Sequence, residues 1–108
     1  MPKGIVYVET RPSSPEREAE FNEWYDQVHL PEVCALPGFL AGRRFAPLGD
    51  GGPYIAVYEV EADDLNDVVA GLFRALQEGK LNMSDALQTE PMPKVRVLEH
   101  TASYPRGT

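Results

Sequence analysis

Apolar positions change period along this chain, and the changes outline its elements. Residues 4–10, Gly4-Ile5-Val6-Tyr7-Val8-Glu9-Thr10, form a β-branched and aromatic run that predicts a strand with faces Ile5/Tyr7/Glu9 and Val6/Val8/Thr10. Arg11-Pro12-Ser13-Ser14-Pro15 breaks it. Ser14 before Pro15 signals a helix start, and Ser13 with Glu16 offers a competing capping box. Phe21, Trp24, Tyr25 and Val28 then recur at helical spacing, with Glu16, Glu18, Glu20 and Glu23 toward the positive N-terminal end. Pro31 disfavours helical geometry at Leu30, which predicts a stop near His29.

A short irregular or helical turn over 31–36 is closed by Pro37-Gly38. Strands are predicted over 39–48 and 54–61, joined by Gly49-Asp50-Gly51-Gly52-Pro53, whose Gly and Asp tolerate positive φ. Asp63 or Asp64 caps a second helix with the stripe Leu65, Val68, Val69, Leu72, Phe73 and Leu76, ended by Gly79. Residues 81–93 carry no firm pattern and are long enough to fold over a site as a lid. Residues 94–103 supply a last strand, Val95/Val97/Glu99 against Arg96/Leu98/His100. The order β-α-β-β-α-β predicts an α+β, ferredoxin-like domain over 1–108: a four-stranded antiparallel sheet with two helices on one face.

Such a fold leaves one sheet face bare. The more mixed alternation, with Tyr7, Glu9, Arg44, Tyr58 and either Glu99 or His100, is expected there. That face is too apolar for water and too polar for a dry core. A chain of 108 residues buries only about two-thirds of its unfolded surface, which argues against a deep private pocket. Two copies meeting on their bare faces are therefore expected to enclose the cavity and hold a small hydrophobic ligand.

Charge and composition narrow the partners. Seventeen acidic against ten basic residues, net −7, argue against nucleic acid and against a polybasic membrane patch. The early apolar run at 5–8 is far shorter than the roughly 20 residues of a membrane helix. It is also too short for a signal-peptide core, so the expected location is the cytoplasm. One cysteine, Cys34, permits no intramolecular disulfide, and with two histidines it makes no zinc framework. The Gly49–Gly52 run precedes a strand instead of opening a helix, so it is not a phosphate loop.

Residues 20–33, Glu20-Phe21-Asn22-Glu23-Trp24-Tyr25-Asp26-Gln27-Val28-His29-Leu30-Pro31-Glu32-Val33, followed by Leu36-Pro37-Gly38-Phe39, resemble the signature of EthD-like proteins of the dimeric α+β barrel superfamily. The distinctive motif covers residues 20–39, and the element order covers nearly the whole chain. The resemblance implies a homodimer with two ligand cavities and leaves the chemistry open. Superfamily relatives include cofactor-free monooxygenases, polyketide cyclases, dehydratases, decarboxylases and haem-degrading enzymes.

His29 leads the candidates. It stands one helical turn after Tyr25, and an imidazole can move a proton near neutral pH. It could equally complement a helix C-terminus. Tyr25 could hold a substrate oxygen, though aromatics at helical spacing are more often core. Trp24 could shape a cavity wall, and Glu32 could orient His29. Tyr7, Glu9, Arg44, Tyr58 and His100 are candidate ligand contacts, each with an ordinary packing or surface alternative. Asp26 reads as a surface charge. The leading expectation is an enzyme that needs no cofactor or metal. It would act by proton transfer on a hydrophobic, oxygen-bearing compound of aromatic-carbonyl or polyketide type, through cyclisation, dehydration or decarboxylation. A non-catalytic carrier dimer is the alternative. A cofactor-free monooxygenase or a haem protein with His29 or His100 as axial ligand ranks lower.

Overall fold

The computed structural model describes residues 1–106. Strands β1 (Lys3–Thr10), β2 (Phe39–Phe45), β3 (Tyr54–Glu61) and β4 (Lys94–Glu99) form one antiparallel sheet in the order β2-β3-β1-β4. The first helix is composite: a single 3₁₀ turn at Pro15–Arg17, α1 (Glu18–Trp24), a wide π turn at Tyr25–His29, and α2 (Leu30–Cys34). Helix α3 (Leu65–Gln77) follows β3. The architecture is ferredoxin-like, as the element order predicts.

Local chemistry sets the element ends. Pro15 occupies the first turn after Ser14, whose side chain makes no capping bond. Asp64 caps α3 by accepting the Asn66 N–H at 3.0 Å. At the other end Gly79 takes φ +70°, and Lys80 N–H reaches the Ala75 carbonyl at 3.0 Å, closing the helix with a Schellman motif.

Pro31 does not stop the first helix. In a regular α-helix its ring would collide with the carbonyl four residues back. Here Leu30 N–H bonds the Tyr25 carbonyl, five residues back, and the widened turn admits the proline ring. The chain thus stays helical to Cys34, five residues beyond the predicted stop.

Cross-strand register decides which residues share a face. Val97–Val6–Tyr58–Gly42 and Val95–Val8–Ala56–Arg44 are rows on the helix-covered side. Val6, Val8, Tyr58 and Val60 are buried there with Phe21, Tyr25 and Val33 of the first helix and Val68 and Leu72 of α3. A Cβ on Gly42 would lie 3.0 Å from Cys34 Sγ, Leu30 Cδ1 and Tyr58 Cδ1, so α2 reaches the sheet only because this position is glycine.

The bare face carries the rows Leu98–Ile5–Glu59–Ala41, Arg96–Tyr7–Val57–Arg43 and Lys94–Glu9–Ile55–Phe45. The mixed set expected there splits. Tyr7 and Glu9 do lie on it, but Arg44 and Tyr58 lie on the helix side. Alternation fixes parity within one strand only, and pairing of Tyr58 with Val6 puts it in the core row. Strands β2 and β4 end at Phe45 and Glu99, so His100 falls beyond the sheet. No helix among the described residues is long and apolar enough to cross a membrane.

Candidate functional site

A cavity of about 370 Å³ lies between the sheet and its helices, inside a single chain. This space differs from the one expected between two bare faces: the helices stand off the sheet at one end and leave it within one chain. Val8, Thr10, Tyr58 and Val95 floor it, Tyr25, His29 and Val33 form one wall, and Leu72, Phe73, Leu76 and Gln77 of α3 form the other. Met83, Thr89, Met92 and Pro93 close the remaining side, so the unpatterned segment 81–93 does border the site.

His29 is buried to 9% exposure, and its Nδ1 is enclosed with no hydrogen-bond partner among the described residues. Its ring stacks on Trp24 at 4.7 Å and 24°, and meets Tyr25 edge-on at 4.8 Å. The π turn makes that stack. Five residues along an α-helix point about 140° apart, whereas a turn closed by i→i+5 bonds brings them onto one side. Burial pushes the His29 pKa down to about 4; Glu32 opposes this and the Arg44 charge adds to it. The imidazole is neutral at pH 7.

Tyr25 and Tyr58 meet hydroxyl to hydroxyl at 3.3 Å, buried at the cavity wall. Burial raises both phenol pKa values, most strongly that of Tyr58, so both keep their protons. One hydroxyl donates to the other, which leaves one O–H free for a ligand oxygen.

Arg44 sits behind this pair. Its guanidinium lies 4.4 Å from the Tyr25 ring centroid and also covers Phe21 and Tyr54. It donates to Asp26 Oδ1 at 2.7 Å and Asn22 Oδ1 at 2.9 Å, so Asp26 is the partner of a buried arginine and not a free surface charge. The Arg44 charge is thereby occupied, and none of the cavity-lining side chains is charged at pH 7.

Glu32 does not touch His29. Its two oxygens accept from Asn82, the backbone N–H at 2.8 Å and Nδ2 at 2.6 Å. Trp24 does not line the cavity; it backs His29 and donates Nε1–H to the Asn82 carbonyl at 2.7 Å. Further along the same segment, Arg17 binds Asp85, Ser13 N–H binds the Ala86 carbonyl and Gln88 N–H binds the Arg11 carbonyl.

Of the eight side chains singled out from sequence, the cavity gathers His29, Tyr25 and Tyr58. Trp24 and Arg44 stand behind them. Tyr7 and Glu9 bond each other at 3.3 Å on the opposite face of the sheet. His100 is exposed and paired with Ser103 Oγ at 2.7 Å, away from the cavity. Sequence reasoning missed Thr10, Gln77 and Thr89 as polar lining; Thr10 carried a signal, since it ends the more apolar face of β1. Among the described residues no three His, Cys, Asp or Glu side chains converge as metal ligands.

No family model matches the sequence, and no curated protein matches it either. Among solved structures, the fold is similar to that of a candidate monooxygenase from Shewanella loihica PV-4, with a TM-score of 0.60. The two share 16% identity over 95% of this chain and 99% of that one, a likeness of fold.

Proposed function

We propose that this chain is an EthD-like member of the dimeric α+β barrel superfamily that performs proton transfer on a neutral, hydrophobic, oxygen-bearing small molecule. The observation that carries this reading is the unpartnered, neutral His29 beside the Tyr25–Tyr58 hydroxyl pair in a largely apolar cavity. His29 takes a proton next to a carbonyl, and the free tyrosine O–H holds the oxygen on which negative charge develops. A base this weak suits an already acidic C–H or O–H, such as that of an aromatic carbonyl compound. The lack of a charged lining group favours a neutral ligand. Proton removal of this kind begins cyclisation, dehydration or decarboxylation.

It also begins cofactor-free oxygenation, in which the electron-rich anion is oxidised by O₂. The fold neighbour, itself a candidate monooxygenase, favours that second reading. In both, we read the protein as a cytoplasmic homodimer joined through its bare sheet faces, where Leu40, Phe45 and Leu98 are exposed.

Deuterium exchange tests the first step without knowledge of the natural substrate. With 2-tetralone, a neutral bicyclic ketone, in heavy water, the protein should accelerate loss of the α-proton signal, and His29→Gln should abolish the acceleration. Binding of the ketone with equal exchange rates in both proteins would support a carrier and end the enzymatic reading.

A further inference from the structure

Glu32 was the natural candidate to orient His29 directly, but its carboxylate faces the other way, onto Asn82. Three hydrogen bonds meet at this one residue of segment 81–93. Glu32 takes the Asn82 N–H and Nδ2–H, and the Trp24 indole gives its N–H to the Asn82 carbonyl. Trp24 is in turn the ring stacked on His29. Downstream of Asn82, the segment supplies Met83, Thr89, Met92 and Pro93 to the cavity. One carboxylate therefore fixes both the start of the segment and the indole that packs against the imidazole.

We propose that Glu32 is a positioning residue: by clamping Asn82 it holds segment 81–93 closed over the cavity and keeps Trp24 stacked on His29. This rests on the reading that His29 is the proton-handling group. It names a device for setting that group: closure of the segment both shuts water out and fixes the ring. The bonds of Arg17 to Asp85 and of Gln88 to Arg11 keep the middle of the segment docked, so release is expected near residues 82–84, beside the histidine.

A rival account is that Glu32 acts only as a negative charge near the ring. The two accounts predict opposite signs. Tyr25 meets His29 from its own helix and Tyr58 lines the same cavity from β3; the charges of Glu32, turned toward Asn82, and of Arg44 on β2 act on the ring from a distance, and α3, β1, β4 and segment 81–93 bring no charged residue to the cavity. If Glu32 is only a charge, its removal takes away a carboxylate that favours the imidazolium, and the midpoint of His29 falls below about 4. If Glu32 is the clamp, its removal admits water, and the midpoint rises toward the ordinary 6.5.

Trp24 is the single tryptophan, so its emission reads the site without a substrate. A protonated imidazole stacked on an indole quenches it. The experiment is a pH titration of Trp24 fluorescence for the full chain, Glu32→Ala and Asn82→Ala, with far-UV circular dichroism recorded at each point to mark folded protein. The expected result is a midpoint raised by one unit or more in Glu32→Ala, with red-shifted emission at pH 7. Asn82→Ala keeps the carboxylate charge and both main-chain bonds, so a smaller rise in the same direction is expected. Glu32→Gln, with one accepting oxygen retained, should show less red shift than Glu32→Ala. A lowered or unchanged midpoint in Glu32→Ala overturns the proposal. Should that variant fail to fold, an unchanged midpoint in Asn82→Ala overturns it equally. Because no turnover is measured, failure here leaves the role of His29 to the deuterium-exchange test.

Discussion

Acidification from pH 7.5 to 5.0 should destabilise this protein by about 2 kcal/mol through His29 alone. In the unfolded chain the imidazole titrates near its ordinary 6.5, whereas in the fold burial holds it to about 4. Between those values the unfolded state binds the extra proton, so stability falls as pH falls through the window. At pH 5.0 the unfolded imidazole is almost fully protonated and the folded one is still mostly neutral. The difference is about 2 kcal/mol there and about 3 kcal/mol once both forms are protonated. The perturbation is His29→Gln, which stays neutral throughout. Urea unfolding of both proteins at pH 7.5 and 5.0, read by circular dichroism, isolates the histidine, because the 17 acidic residues contribute to both alike. With a urea slope of about 1–2 kcal/mol/M, the wild type should lose roughly 1–2 M more of its midpoint than the variant. Parallel loss in the two proteins would mean that the ring is solvated or paired in the fold, and the reasoning about its neutral state would fail.

Tyr58→Phe should cost about 1–2 kcal/mol in thermal or urea unfolding, since it strands the Tyr25 hydroxyl; adding Tyr25→Phe should recover part of this loss while abolishing capture of a ketone oxygen. Gly42→Ala should destabilise by about 1–3 kcal/mol, because its Cβ meets Cys34, Leu30 and Tyr58 at 3.0 Å and α2 must move; unchanged stability would show that α2 yields freely. Leu98→Glu, on the bare face opposite the cavity, should shift sedimentation from dimer to monomer and leave ligand capture intact, and a wild-type monomer would remove the proposed assembly.

The fold was legible because period and punctuation agree along the chain. Residues 54–61 read as a strand from sequence and are one, and of the α3 stripe Leu65, Val68 and Leu72 are buried, Val69 and Leu76 partly so, with Phe73 exposed at the cavity rim. The site was half legible. His29 and Tyr25 stand out by helical spacing, but the cavity side of Tyr58 depends on its pairing with Val6, which alternation within one strand does not contain. Arg44 looked like a surface or ligand cation because arginine is rarely enclosed. Its two terminal nitrogens are paired with Asp26 and Asn22 on a helix 18 to 22 residues earlier, a match visible only once helix and strand are packed, while Nε stays without a partner among the described residues. Pro31 misled for a related reason. The rule that proline ends a helix assumes regular α-helical bonding, and the wide turn before it removes the collision.

That wide turn makes the length between Trp24 and Pro31 a property under constraint in its own right. Deleting one residue there, Gln27 for example, would let the backbone close into an ordinary α-helix of the same composition and nearly the same charge. The indole and the imidazole, then four residues apart, would still share a helix face, but the proline ring would strike the carbonyl of the preceding turn. A substitution in this segment changes one side chain, but a shortening removes the widened turn that admits Pro31. Tolerance to substitution at exposed Gln27 and intolerance to its loss are therefore expected together.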